Sequence, residues 1–331
     1  MRLLLKLLLP LLLLLAAAAG GLWWWAGQPL ALRTQPVDFH IANGSGLRAA
    51  ITQIRAAGVA VEPSLLLLLA RVSGAETGIK AGSYSVGEGV TPRQLLDKLV
   101  RGKVTQGDIT LVEGWTLRQW RARLAANPDV NGDSRDLSDD EIIRRLGAQH
   151  ANLEGWLFPD TYLFDKHSSD LDLIARALRA MEKRLAEAWA GRAEGLPYNT
   201  PYEALIMASI IEKETGREAD RERIAAVFTN RLRLGMPLQT DPTVIYGLKD
   251  AFDGNLKKRH LQTDTPYNTY TRRGLPPTPI AMPGLASLQA ALHPASSSAL
   301  YFVARGDGSS QFSNTLEEHN RAVNRYQRSG K

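Results

Sequence analysis

The chain opens on an apolar run, residues 3–26, broken in charge only by Lys6. A run of this length suits a helix that crosses a bilayer, and Pro10 is tolerable inside one. Arg2 and Lys6 sit at its start, so the N-terminus is expected to stay cytoplasmic, with residues 1–27 as a membrane anchor. Trp23, Trp24 and Trp25 fit an aromatic belt at the far interface. The alanines at 16–19 would also fit the end of a cleaved signal peptide. The apolar run continues past them into the tryptophans, which favours an uncleaved anchor.

Residues 27–36 form a polar linker with Pro29 and Pro36. Val37 to Ile41 then alternates with the period of a strand. Asn43-Gly44-Ser45 predicts the start of a helix carrying Leu47, Ile51 and Ile54, with Gly58 as its stop. A second helix is expected over 63–73. Its leucines at 65–69 are too few to cross a membrane and read as core. Residues 83–86 read as a returning strand. Thr91 is a helix cap with Pro92 at the first helical position, and Leu95, Leu96, Leu99 and Val100 follow at helical spacing. The order strand–helix–helix–strand over 37–105 resembles a LysM-type glycan-binding module. A packing or spacer domain fits the same order.

Residues 106–331 predict a larger mixed α+β domain. A strand at 109–112 leads into a helix over 117–126. The polar, turn-rich stretch 127–142 reads as an exposed excursion. Glu154-Gly155-Trp156 through Tyr162 is dense in aromatics and turn residues; it suits a core-plugging loop or a sugar-stacking one. A long helix starts near Ser169, with Ile174, Leu178, Met181, Leu185 and Trp189 on one stripe. A further helix is expected at about 219–234, closed by Gly235. Residues 236–243 are too polar and Pro-interrupted for core, and 265–280 form a long irregular region. Residues 300–304 and 311–313 flank a Gly306-Asp307-Gly308 turn and read as a β-hairpin. A terminal helix precedes a basic, frayed end.

The helix expected over 201–216 carries the candidate chemistry. Residues two apart differ by about 200° around a helix, so Glu212 and Glu214 point to nearly opposite sides. Met207, Ile210, Ile211 and Glu214 share the stripe of a buried face. A carboxyl beside apolar side chains is hard to ionise, and the negative end of the helix dipole acts in the same direction. Such an acid keeps its proton to higher pH and can donate it to a leaving-group oxygen. On the helix pattern alone, an ordinary last-turn Glu paired with Lys or Arg is the more frequent reading. Gly216 is expected to cap the helix in the left-handed conformation.

Composition narrows the classes. The chain has 331 residues and a net charge of +6, which suits an acidic partner such as anionic lipid, a wall polymer or nucleic acid. It has no cysteine, which excludes thiol nucleophiles, disulfides and thiolate metal sites. The histidines at 40, 150, 167, 260, 293 and 319 lack metal-ligand spacing. There is no phosphate loop, dinucleotide fingerprint or nucleophile elbow. No cofactor is expected.

The run Ala208-Ser209-Ile210-Ile211-Glu212-Lys213-Glu214-Thr215 resembles the signature of the endolytic murein transglycosylases, the YceG-like family. Matching runs recur at 154–161, 227–232, 238–247, 267–270 and 301–304, so the similarity spans nearly the whole chain. The resemblance implies a membrane-anchored enzyme, periplasmic or otherwise outside the cell membrane. It would cut the β-1,4 bond between N-acetylmuramic acid and N-acetylglucosamine within nascent glycan strands. Glu214 falls on the second Glu of the family's E-K-E and would be the catalytic acid. Gln239, Thr240, Asp241, Asn268 and Tyr270 are candidates for holding the sugars, although Asp241 also suits a turn before Pro242. Expected partners are peptidoglycan strands, the membrane through residues 3–26 and peptidoglycan synthases, with no nucleic acid. The enzyme would set strand length by ending elongation.

The sequence departs from the family pattern at Thr278, Met282 and Ser310, which puts any role for those side chains in doubt. Two other readings stay open: a non-catalytic wall-binding adaptor, and a hydrolase that uses water with Asp241 or Glu222 as base.

Overall fold

The structure is a computed structural model that describes residues 2–42 and 44–328, with the side chains at 2–8, 11 and 328 left aside. The expected helix start at Asn43, the charges of Arg2 and Lys6 and the basic end at 329–331 lie outside what is described. The fold is mixed α+β. It opens with α1 (Arg2–Ala26), β1 (Val37–Ile41), α2 (Leu47–Ala56), α3 (Pro63–Val72), β2 (Gly82–Val86) and α4 (Pro92–Arg101). Then come β3 (Gln106–Leu111), α5 (Leu117–Ala125), β4 (Val130–Asn131), α6 (Asp139–Leu146), β5 (Asp160–Asp165) and β6 (Ser168–Ser169). Next are α7 (Asp170–Ala190), α8 (Pro201–Glu214), α9 (Glu218–Arg233), α10 (Asp241–Leu248), α11 (Lys258–Gln262) and α12 (Leu285–Leu292). The hairpin strands β7 (Tyr301–Ala304) and β8 (Ser310–Ser313) precede α13 (Leu316–Val323).

Two compact units divide the chain. The first holds Met1–Asp108, Pro128–Asn131 and Leu163–Ser169, and the second holds the remainder. In the first unit β1 and β2 pair antiparallel, Phe39 opposite Tyr84, with those rings stacked at 5.7 Å. Helices α2, α3 and α4 close over the pair, burying Ile51, Ile54, Leu66, Leu69, Leu95 and Leu99. Leu68, within the expected core run, faces outward instead at 47% exposure, because a ten-residue helix on one core buries only one side. Thr91 caps α4 and Gln94 reciprocates in a capping box. The last residues of α1 join this core, with Ala26 fully buried. Among the described residues no helix is long and apolar enough to cross a membrane.

The second unit is organised around α8. Ala204 through Ile211 are all buried, so α8 is wrapped on every side rather than on the one stripe expected from its spacing. Met181 and Leu185 of α7, Ile224 and Phe228 of α9, and Leu288, Ala291 and Leu292 of α12 pack around it. The segment before α12 is pinned to α8: Ser209 Oγ accepts the Ile280 amide at 3.0 Å. Two other expectations change. The stretch 127–142 is not a plain excursion. It holds β4 and the start of α6, which Ser138 caps and three acidic residues open. Nor does Gly216 cap α8 in the left-handed form, since Thr215 leaves the helix in extended backbone.

Gly155 shows what the loop before β5 requires. Its φ is +81°, and a side-chain carbon there would collide with the Pro279 ring. Gly195 has φ +67° with open space around it. A left-handed φ alone costs an L-residue about 1–2 kcal/mol, and forced repacking adds about 1–3 kcal/mol. Gly155→Ala should therefore lower unfolding free energy by about 2–5 kcal/mol and Gly195→Ala by about 1–2 kcal/mol. Chemical denaturation of both variants checks the order; equal losses would contradict it.

Candidate active site

Glu214 is the last residue of α8, where the helix emerges from its apolar sleeve. It does not pair with Lys or Arg. Its Oε1 instead receives a hydrogen bond from the Thr240 hydroxyl. Burial is the main cause that pushes the Glu214 pKa up, and the Asp241 charge acts in the same direction. The Thr240 donor opposes both, since it favours the ionised form.

Glu212 faces another way, as the 100° step predicts. Its Oε2 accepts the Gly284 amide at 3.0 Å, placing a carboxylate at the start of α12. Lys213 donates to the Gly114 carbonyl at 3.1 Å. That loop is also paired with the segment before α12, through Gly114 N–H to Met282 O at 2.9 Å and Met282 N–H to Trp115 O at 2.8 Å. Met282 thus acts through its backbone.

Thr240 is held by a buried threonine cluster. Its amide donates to Thr269 Oγ1 at 3.1 Å, and its carbonyl accepts from Thr243 Oγ1 at 2.8 Å. The Thr243 and Thr269 hydroxyls lie 2.9 Å apart. Before it, Gln239 adopts φ +53°, a costly conformation for a residue with a side chain. Buried Arg231 secures that bend. It donates to the Leu238 carbonyl at 2.8 Å and to Gln239 Oε1 at 3.3 Å, and its Nε reaches the Leu300 carbonyl at 2.7 Å. Asp241 then opens α10, exposed, with the Tyr270 hydroxyl donating to its Oδ1 at 2.5 Å. Burial, that bond and the charges of Asp241 and Glu214 all push the Tyr270 pKa up.

Three of the residues expected to hold sugar therefore converge on Glu214: Thr240, Asp241 and Tyr270. Thr240 is buried, and its hydroxyl is spent on Glu214. Gln239 lies at the surface with its oxygen on Arg231. Asn268 is a different case. It is fully buried, and its amide nitrogen reaches the Thr263 carbonyl at 2.7 Å and Leu261 at 3.1 Å. Its oxygen accepts the Tyr270 amide at 2.9 Å. Asn268 shapes the loop that carries Tyr270. Trp156, a candidate for sugar stacking, stacks instead on His150 at 3.7 Å and on Tyr202 at 5.8 Å. Glu222 lines a groove of about 720 Å³ with Lys183, Arg184, Gln289 and His293, and Glu214 is not part of that lining. Thr278 bonds the Tyr267 hydroxyl at 2.9 Å.

Sequence reasoning missed Arg231, Thr243 and Thr269. The available signal was buried polarity: a helix stripe containing Arg231, and threonines in a stretch judged to be loop.

The YceG-like family model matches residues 39–325. The endolytic murein transglycosylase of Bacillus subtilis is 34% identical over 307 residues, covering 88% of this chain and 84% of that protein. That of Streptococcus pneumoniae serotype 2 is 28% identical over 321 residues, covering 86% and 57% respectively. The crystal structure of a yceG-like protein from Listeria monocytogenes has a TM-score of 0.55 at 32% identity, covering 87% of this chain and 99% of that one.

The raised pKa of Glu214 sets a sign for stability. The folded chain binds this proton more tightly than the unfolded chain does. The stabilisation is complete below the unfolded value of about 4.3 and is lost as pH rises through the raised folded value. Glu214→Gln should therefore unfold at a higher temperature than the wild type at neutral pH, with the gap closing in acid. Thr240→Val removes the opposing donor and should move the Glu214 titration further up, read by carbon-detected NMR. A downward move would show that Thr240 does not donate to the carboxylate.

Proposed function

The chain belongs to the YceG-like family, and we propose that it is a peptidoglycan lytic transglycosylase, a lyase. Its substrate is the glycan strand, cut at the β-1,4 bond between N-acetylmuramic acid and N-acetylglucosamine. The observation that carries this reading is the Glu214 carboxyl at the end of a fully wrapped helix, its pKa raised by burial and by Asp241.

The chemistry follows from that placement. Protonated Glu214 gives its proton to the glycosidic oxygen as the bond to the anomeric carbon breaks, through an oxocarbenium-like state. The 6-hydroxyl oxygen of the same muramic residue then bonds to that carbon, and its proton passes to the Glu214 carboxylate. One bond breaks, one forms, and the acid is regenerated without water. The sugar supplies its own nucleophile, so one enzyme carboxyl suffices. Glu212, occupied with the Gly284 amide, takes no part. Asp241 receives the Tyr270 hydroxyl on Oδ1, which leaves Oδ2 to accept from a sugar hydroxyl. The Gln239 amide nitrogen serves as a surface donor on the same rim.

The reading extends to the rest of the chain. Residues 3–26 carry one charge, Lys6, and act as a single-pass anchor with the catalytic unit outside the cell membrane. The β1–α2–α3–β2 domain is LysM-like in element order, an order that fits a glycan-binding module and a spacer alike. Anchoring confines cutting to nascent strands beside the synthases, so the enzyme ends strand elongation.

The test uses the full chain in detergent with purified glycan strands. New ends should be anhydro ends, one water lighter than hydrolysed ends by mass spectrometry. Glu214→Gln should lower turnover at least about a hundredfold, with the fold intact. Wild-type turnover in that variant removes Glu214 from the mechanism. Ends that keep the water make the enzyme a hydrolase, and uncut strands with the wild type leave a wall-binding adaptor. Cleavage should also fall as pH rises through the Glu214 value, which burial and Asp241 hold above that of an ordinary Glu.

A further inference from the structure

Glu154 has no part in the chemistry above, yet its setting is costly. It is 8% exposed. Its Oε1 and Oε2 accept the Leu117 amide at 3.1 and 3.3 Å, and the Tyr246 hydroxyl donates to Oε2 at 3.1 Å. Three groups act on it: the Leu117 amide from the start of α5, the Tyr246 phenol from α10 and the Asp139 charge from α6. Among the described residues no cation acts on it. Burial pushes its pKa up to about 7. A glutamine of the same shape would accept from Leu117 and donate to the Tyr246 oxygen without burying a charge. A plain scaffold would not need the carboxylate.

Its two partners lead to the two sides of Glu214. Leu117 follows the loop whose Gly114 carbonyl takes Lys213 at 3.1 Å, next to Glu214 in sequence. Tyr246 lies on α10, whose first residue is Asp241 and whose cap, Thr240, donates to Glu214. We propose that Glu154 is a positioning residue for Glu214: its carboxylate couples loop 113–117 to α10 and so holds Thr240 and Asp241 against the end of α8. The inference rests on the reading of Glu214 as the acid. A charged acceptor holds both donors more strongly than a neutral one, so the frame tightens as Glu154 ionises. Glu214 needs the opposite, since it works protonated. The two demands together give a bell-shaped dependence of turnover on pH, with Glu154 on the acid side.

The test is Glu154→Gln in the full chain, in detergent, with glycan strands. The expected result is a loss of about tenfold in kcat, as for a small misplacement of a catalytic group. KM should stay within about twofold, and the acid-side limb should vanish while the alkaline limb remains. Melting temperature at alkaline pH should equal or exceed that of the wild type. Glu154→Gln combined with Tyr246→Phe should be no worse than the poorer single variant. Wild-type kcat and an unchanged pH profile would overturn the proposal. So would a uniform loss at every pH that adds to the loss from Tyr246→Phe. Should Glu154→Gln fail to fold, Tyr246→Phe alone must weaken the acid-side limb, and an unchanged limb counts against the proposal. Glu214→Gln separates the two claims. If it stays active, the acid assignment falls; if it is inactive while Glu154→Gln matches wild type, only the positioning role falls.

Discussion

Helix α8 is buried from Ala204 to Ile211, and Glu214 lies less than one turn beyond the last of these residues. The candidate chemistry depends on that geometry. An acid exposed to water on the surface of a helix would titrate near its ordinary value, its neighbours' charges screened by solvent. Here a sleeve made by α7, α9 and α12 removes water from the helix almost to its end. The carboxyl then emerges among protein dipoles whose directions are fixed in advance. Desolvation raises the cost of ionising it, and the Thr240 hydroxyl limits that rise. Such opposition tunes a proton donor: too little burial leaves it ionised, and too much leaves it unwilling to give the proton up.

The direction of Glu214 is set from outside α8. Thr240 points correctly because its amide and carbonyl are both tied into the cluster with Thr243 and Thr269. That cluster is reached through a strained bend at Gln239, which buried Arg231 secures with bonds to Leu238, Gln239 and Leu300. A guanidinium taken out of water is tolerable when its donors find acceptors, and Nε and Nη1 of Arg231 find theirs in backbone carbonyls and the Gln239 oxygen. Order therefore passes from a buried cation to a bend, from the bend to a threonine, and from the threonine to the acid.

Much of this was legible in the sequence where local periodicity and capping agree. The antiparallel pair β1–β2, the cap at Thr91, the long helix α7 and the hairpin β7–β8 follow from alternation, cap residues and turn chemistry. The opposed directions of Glu212 and Glu214 follow from helix geometry alone. Other features were set by tertiary contact and were not legible. Helix α10 hides behind Asp241-Pro242, which reads as a turn, although Pro near a helix start is favourable. Asn268 looked like a polar loop residue able to hold a ligand, but its neighbours in space turn every polar atom inward. Gly216 looked like a left-handed cap, but the chain leaves α8 in extended form at Thr215 instead. In each case the residue type was read correctly and its partner was not, because partners distant in sequence leave no local pattern.

The triplet Glu212-Lys213-Glu214 shows why a short motif can carry more than one role. Each residue steps about 100° around the helix, so three neighbours face three different parts of the same unit. Glu212 takes the Gly284 amide and supplies negative charge at the start of α12. Lys213 reaches the Gly114 carbonyl and fastens the loop that leads into α5. Glu214 meets Thr240 and, beyond it, α10. The two carboxylates cannot act as a facing pair. The first fixes the segment that runs along α8, and the second is left with a single well-defined surrounding. Replacing either side chain would therefore disturb a different part of the unit: Glu212 the start of α12, Glu214 the contact with Thr240. The triplet is thus two fastenings beside one carboxyl held by Thr240, with the fastenings placed where the helix ends.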